Sequence, residues 1–340
     1  MTGTARLRQW LVCVAVVATL GGFAWWSLLH RYAPSADVAR PRITIATPTQ
    51  IGAGTVRVGM DQKLFEQRGL DVVAQPFTLG KQALEALLQG HADLAILADT
   101  PFMLAIMRGE EIATLGTIFG SRSMIVLVVR KDSGISTATQ LAGKKIGTVV
   151  GTNLHFFLDD LLTINRVDKS SIKLVDMKAT EMVSALQHKT VDAVTLFSPD
   201  FAKAQNALGS QIARVQGEDI FAFRLLLVGK QEYLRTHQAE LRQFIAALED
   251  ANAFIRDKPA QARTIIAKSM DMDQALLVNS FHSNDFQVSL DQTLLLALDD
   301  KTRWAVKQRM VTSAIHPNYL DFIWPGPLAS VRADGVRIIQ

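Results

Sequence analysis

Two α/β lobes, laid down one after the other, are what this 340-residue sequence predicts. Three observations predict them. Strand-like and helix-like segments alternate from residue 42 onward, the βαβ order of a mainly parallel sheet flanked by helices. The same order starts again near residue 131. Finally, residues 84–101 and 182–199 share one layout: an Ala-Leu pair (Ala86-Leu87, Ala185-Leu186), an Asp six positions after the Leu (Asp93, Asp192), then a short apolar run ending in a polar residue and a proline. A helix closes, a turn follows and a buried strand ends in a polar loop, which is where ligands gather in open α/β sheets.

Composition narrows the class. With 49% hydrophobic and 20% charged residues the chain is a folded one. Its net charge of +4 is small, and no basic tract is longer than two residues, so a nucleic-acid stripe is not expected. Cys13 is the single cysteine and lies in the apolar N-terminus, which leaves the rest without disulfides, a Cys metal site or a thiol nucleophile.

Residues 10–29 carry no charge, and twenty residues at about 1.5 Å each span about 30 Å, the thickness of bilayer hydrocarbon. Arg6 and Arg8 ahead of the run place its start on the cytoplasmic side, and Trp25 and Trp26 suit the far interface. The apolar run exceeds the length of a cleavable signal, whose fair cleavage site here would be Ala33-Pro34-Ser35. Residues 1–31 are therefore expected to be a membrane anchor or signal segment, preferentially an uncleaved anchor, and 32–41 a linker.

Arg42-Ile-Thr-Ile-Ala-Thr47 alternates and is β-branched, so it is expected as a strand opening into the Gly-containing loop 48–54. Val56, Met60, Leu64 and Phe65 mark one helix closed by Gly69. A strand over 70–77, a helix over 82–89 stopped by Gly90, a strand over 94–97 and a helix over 102–108 follow. Two apolar runs, 112–119 and 124–130, complete the first series. The second series has strands over 143–150, 172–177 and 191–197 and helices over 155–164 and 180–188. Residues 223–229 read as a return strand. Helices are then expected over 230–258, 260–270, 273–281, 291–298 and 302–312, with an irregular tail whose last apolar pair, Ile338-Ile339, packs on the first lobe. The lobes are thus 42–130 with 225–340, and 131–224.

Helix N-termini after strand ends offer unpaired N–H groups and the positive end of the helix dipole. Three loops have that form: 48–54, 78–82 and 151–155. Ordinary capping by Thr78 or Thr152 is the plain alternative at each. A single dipole contact of about 0.3 to 2 kcal/mol is far from the roughly 8 kcal/mol of micromolar binding, so several loops must converge. Arg122, between Ser121 and Ser123, has the fork for an anionic group or else is solvated. Asp99-Thr100 and Phe197-Ser198 are the matched ends of the repeat, and Phe197 either stacks on a ring or joins the core. The seven histidines show no paired ligand spacing, and no GxSxG, GxxxxGK[ST] or post-strand GxGxxG is present, so neither metal, cofactor nor catalytic constellation is expected. His155 is the one acid–base candidate for a rival enzyme reading.

Taken in order, residues 63–73, 86–101, 133–147 with its Leu141-Ala-Gly-Lys-Lys-Ile-Gly147 element, 185–199 and 327–339 resemble the substrate-binding proteins of ABC importers. The resemblance is to the branch of nitrate, taurine and aliphatic-sulfonate binders and thiamine-pyrimidine-synthase-like proteins. It covers essentially everything after residue 42, with two departures: Lys63 stands where that family often has Gly before Phe, and Val56 to Met60 lacks the family's usual small residues. It implies a two-lobed type II periplasmic-binding fold, preceded here by the N-terminal transmembrane or signal helix. It also implies a small, anionic ligand held between the lobes, partners in an ABC permease and ATPase, a periplasmic location and a monomer. Its site falls on Thr49, Gln50, Gly80, Lys81, Gln82, Asp99, Thr100, Ser121, Gly151, Thr152, Asn153, Phe197 and Ser198. An enzyme or sensor acting on or recognising a pyrimidine-type metabolite is the alternative on the same fold.

Overall fold

A computed structural model describes residues 40–215, 221–311 and 316–339. The predicted membrane segment, Cys13 and nearly all of the linker lie outside these. Among the described residues no helix is long and apolar enough to cross a membrane.

The first sheet is built from strands β1 (Arg42–Pro48), β2 (Asp71–Phe77), β3 (Leu94–Ala98), β4 (Ile112–Ser121), β10 (Phe223–Lys230), β11 (Phe286–Asp291) and β12 (Val336–Arg337), in the order β12-β11-β4-β10-β3-β1-β2. The second contains β5 (Ile125–Arg130), β6 (Lys145–Thr148), β7 (Lys173–Asp176), β8 (Ala193–Phe197) and β9 (Ile212–Val215), in the order β7-β6-β8-β5-β9. Pairing is parallel in the βαβ portions β3-β1-β2 and β7-β6-β8. It is antiparallel wherever β10 or β5 takes part. The expectation of mainly parallel sheets is corrected accordingly: both sheets are mixed, because β5 and β10, which follow the crossings between sheets, and also β11, which pairs antiparallel with β4, run against the βαβ strands.

The crossings also move the expected lobe boundary. Residues 124–130 were assigned to the first lobe, yet β5 is hydrogen-bonded between β8 and β9 in the second sheet. Its apolar, β-branched pattern identifies a buried strand but says nothing about its neighbours. The chain passes from the first sheet to the second between Ser121 and Ile125, and returns between Val215 and Phe223.

Flanking the first sheet are α1 (Gly54–Asp61), α2 (Leu64–Gln67), α3 (Gly80–Leu88), α4 (Asp99–Met107), α8 (Gln231–Thr236), α9 (Gln238–Asp257), α10 (Pro259–Ser269), α11 (Gln292–Lys307) and α12 (Gly326–Val331). The second sheet has α5 (Asn153–Ile164), α6 (Met182–Gln187) and α7 (Ser198–Leu208). In α9 the 3–4 spacing of Leu241, Phe244, Ile245, Leu248, Ala251 and Ile255 forms the buried stripe. The single helix expected between Val56 and Gly69 is two, broken at Lys63, whose φ of 56° is left-handed. That conformation explains why the related family favours Gly there.

Other boundaries differ from expectation. The helix expected over 273–281 is a short 3-10 turn, Gln274–Leu277, and the pair expected over 291–298 and 302–312 is the one helix α11. β9, β11 and α7 are additional to the expected elements, although Phe286–Asp291 alternates apolar and polar residues as a half-buried strand does. The tail is not irregular throughout: it holds α12 and β12, and of its last apolar pair Ile338 packs on the core while Ile339 is 79% exposed.

Candidate functional site

β3 delivers its chain end straight into α4, so Asp99 and Thr100 are the first residues of that helix and both are fully buried. Across from them, β6 leads through Gly151 to α5, where the Thr152 side chain accepts the Leu154 N–H as an N-cap at 3.2 Å. Gly151 has φ 77°, a left-handed turn that aims the helix start at α4. Asn153, on the second-sheet side, then meets Asp99: its Nδ2 donates to Asp99 Oδ1 at 2.7 Å, and the Thr100 N–H reaches Asn153 Oδ1 at 3.4 Å. The two helix N-termini are thus joined by a buried side-chain clasp.

The charge of Asp99 is balanced from a third element. Lys301 on α11 places its Nζ 3.1 Å from Asp99 Oδ2, with both side chains essentially inaccessible to solvent. Its ammonium also lies 4.6 Å and 5.1 Å from the ring centroids of Phe156 and Phe221, a cation–π arrangement that offsets part of its desolvation. Thr100 Oγ1 is buried and has no hydrogen-bond partner among the described residues. A buried hydroxyl without a partner, one residue on from the Asp99–Lys301 pair, is a donor that an acceptor oxygen would satisfy.

Lys301 was not anticipated. Preceded by Asp299 and Asp300, it reads as surface charge. The sign was in the spacing: Leu294, Leu298, Lys301 and Ala305 fall at 3–4 intervals on one buried stripe. Dividing the segment into two helices at residue 298 hid it.

The other predicted residues are dispersed. Thr49 is exposed and Gln50 half-buried at the end of β1. Gly80 is held against β3 so closely that an added Cβ would lie 2.8 Å from Leu97 Cα, and Gln82 caps α3 by accepting the Leu79 N–H at 3.1 Å. Ser121 Oγ lies 3.4 Å from Ser123 Oγ at the first crossing, with Arg122 exposed between them. Phe197 is core: its ring packs edge-on against Phe223 at 5.4 Å, and the Ser198 N–H donates to Met124 O at 2.7 Å as α7 begins. Lys81 and Gly151 do line a common space, a cavity of about 430 Å³ that includes Pro101 on α4 and Asp176 at the end of β7. A neighbouring cavity of about 560 Å³ shares Lys81 and Asp176 and adds Thr78 and Gln82. A third, of about 380 Å³, reaches Lys301 from the side of Phe156, Phe221 and Arg224. These volumes are in the range of small-molecule sites, roughly 300 to 1,000 Å³.

His155, the acid–base candidate, sits under Trp304 with ring centroids 5.1 Å apart and lines none of these three cavities. Burial pushes its pKa below the ordinary histidine value, with the nearby Asp159 charge opposing that shift. Among the described residues no group of three or more His, Cys, Asp or Glu is placed to hold a metal ion.

A family model described as NMT1/THI5 like matches residues 55–262, more than half of the chain. The chain belongs to that family. Among curated relatives, a candidate binding protein of Brucella abortus is 24% identical over 234 residues, 66% of this chain and 70% of its own length. The crystal structure of the periplasmic aliphatic sulphonate binding protein SsuA from Escherichia coli superposes with a TM-score of 0.72 at 19% identity, over 84% of this chain and 97% of SsuA. The two-lobed architecture of periplasmic binding proteins is therefore the fold of this NMT1/THI5-like chain. The desulfurization enzyme DSZB has it too, with a TM-score of 0.68 at 14% identity over 87% of this chain and 99% of the enzyme. The fold thus hosts both binders and an enzyme, and function must come from the site.

Proposed function

We propose that this chain is an extracytoplasmic solute-binding protein of an ABC uptake system, which captures a small acidic molecule between its two sheets and presents it to a membrane permease. Family membership and the likeness to a sulphonate-binding protein support the class. The observation that carries it is the clasp itself: buried polar groups from both sheets and from α11 meet at two helix N-termini, and Thr100 Oγ1, one residue on from the Asp99 that Lys301 pairs, is left without a partner among the described residues.

An acidic ligand there would share the Lys301 ammonium with Asp99, take the Thr100 hydroxyl and lie at the positive ends of α4 and α5. On the wall of the 430 Å³ cavity Lys81, Arg108 and Arg309 are matched by Glu85, Glu110 and Asp176, so the preference for an acid rests on Lys301 and the helix ends. The two lobes, 42–121 with 223–340 and 125–215, would close by hinge motion at the two crossings. Residues 10–29 would tether the protein to the outer face of the inner membrane. The exported, anchored form needs no cofactor, and the chain works as a binder rather than a catalyst.

A thermal-shift panel of alkanesulfonates, nitrate, carboxylates and pyrimidines tests the reading. A ligand at a hundred times its dissociation constant adds about 2.7 kcal/mol of stability, and at least one anion is expected to raise the melting temperature by several degrees. No shift with any anion, or a shift with the pyrimidines alone, contradicts it.

A further inference from the structure

Beside the clasp, a second contact joins the sheets, and no ligand is needed to explain it. Asp159 lies on α5, one turn beyond His155, and is 5% exposed. Its Oδ2 accepts hydrogen bonds from three donors: Lys169 Nζ at 2.8 Å, Trp304 Nε1 at 2.6 Å and Gln308 Nε2. Lys169 belongs to the second-sheet side, just after α5. Trp304 and Gln308 lie on and just beyond α11, which packs on α4 and β11 of the first sheet. The Trp304 ring is also packed edge-on by His155 and by Phe156, at 5.1 Å and 5.2 Å. One carboxylate of one lobe is thus anchored by two neutral donors of the other.

We propose that Asp159 is a closure latch, a positioning residue that holds the two lobes together through Trp304 and Gln308 and so sets how readily the cleft opens. The proposal rests on the reading that the lobes open and close around a solute. When they part, Lys169 stays with Asp159, while Trp304 Nε1 and Gln308 Nε2 lose their acceptor to water. Of the three bonds to Asp159, only the two cross-sheet ones are therefore spent on opening, and these add to the clasp in biasing the equilibrium. Lys169 does a different job: it keeps the charge of Asp159 compensated in both positions.

Spin labels placed outside the seam read the latch without any ligand, so failure here is separate from failure of the solute assignment. In the full chain carrying Cys13→Ser, the exposed positions Gln89 on the first lobe and Lys173 on the second are changed to Cys, labelled, and their distance distribution is measured. The expected wild-type result is one dominant short distance. Trp304→Phe keeps the ring packing and the Asp159 charge but removes the donor, and Asp159→Asn removes the charge. Each is expected to raise the population at a second, longer distance about tenfold. Should Asp159→Asn fail to fold, Trp304→Phe decides. Lys169→Met should leave the short distance dominant. An unchanged distribution in Trp304→Phe overturns the proposal, as does a wild-type protein already as open as the variants.

Discussion

The two copies of the repeated unit agree in backbone and part in chemistry. In the first, Asp93 N–H donates to Thr44 O and Asp93 Oδ2 accepts the Thr44 N–H, at 2.8 Å and 2.7 Å. In the second, Asp192 N–H donates to Lys145 O and Asp192 Oδ2 accepts the Lys145 N–H, at 2.8 Å and 2.9 Å. Each Asp therefore fastens the start of one parallel strand to its neighbour, and neither faces the cleft. The preceding helices also end alike, in a left-handed residue that is Gly90 in one copy and Lys189 in the other. Beyond the strands the copies diverge. β3 opens into the buried Asp99 and Thr100, whereas β8 ends on Phe197, which packs edge-on against Phe223 near a crossing. The lesson is that the repeat sets where chain ends arrive, and the residues arriving there set what each end does.

The largest effect should come from breaking the polar end. Lys301→Met leaves Asp99 buried without its counter-ion, and a loss of about 3 to 5 kcal/mol of unfolding free energy is expected in a denaturant titration. Next come the fasteners. Asp93→Ala and Asp192→Ala each strand a backbone N–H and remove a charge-assisted bond, so each should cost about 1 to 3 kcal/mol by the same titration. Asp192→Ala is expected to cost slightly more, because Asp192 also holds Arg130 at 3.3 Å. A wide gap between the two would break the claim that they do one job. At the apolar end, Phe197→Leu forfeits an edge-on ring contact worth about 0.5 to 1.5 kcal/mol, and should leave ligand affinity unchanged in calorimetry. The smallest effect is at the helix ends. Gly90→Ala meets no neighbouring atom and pays only the left-handed backbone, about 1 kcal/mol.

Much of this was legible before any coordinates. The Ala-Leu and Asp spacing pointed to equivalent helix–turn–strand units with Asp99-Thr100 at the end of the first, and the loop after β6 was picked out by the physics of helix N-termini. Asp99, Thr100 and Asn153 came from that reasoning. Lys301, Trp304 and Asp159 did not, because their roles depend on which helix packs against which. The assignment of β5 to the wrong sheet has the same cause. Periodicity encodes burial, and partners distant in the chain leave no local trace. Phe197 shows the converse: a residue at the right kind of chain end was carried instead into the aromatic packing by the crossing strand.

Thr100 offers the most direct test of the cleft as an acid-binding site, since its hydroxyl has no partner within the described residues and Thr100→Val should fold normally. Calorimetric titration of wild type and Thr100→Val with the sulfonate giving the largest thermal shift is the measurement. Binding of one molecule per chain, weakened about 10- to 100-fold in Thr100→Val, is the predicted result, from the roughly 1.5 to 3 kcal/mol of a hydrogen bond to a charged group. Equal affinity in the two proteins would contradict the account.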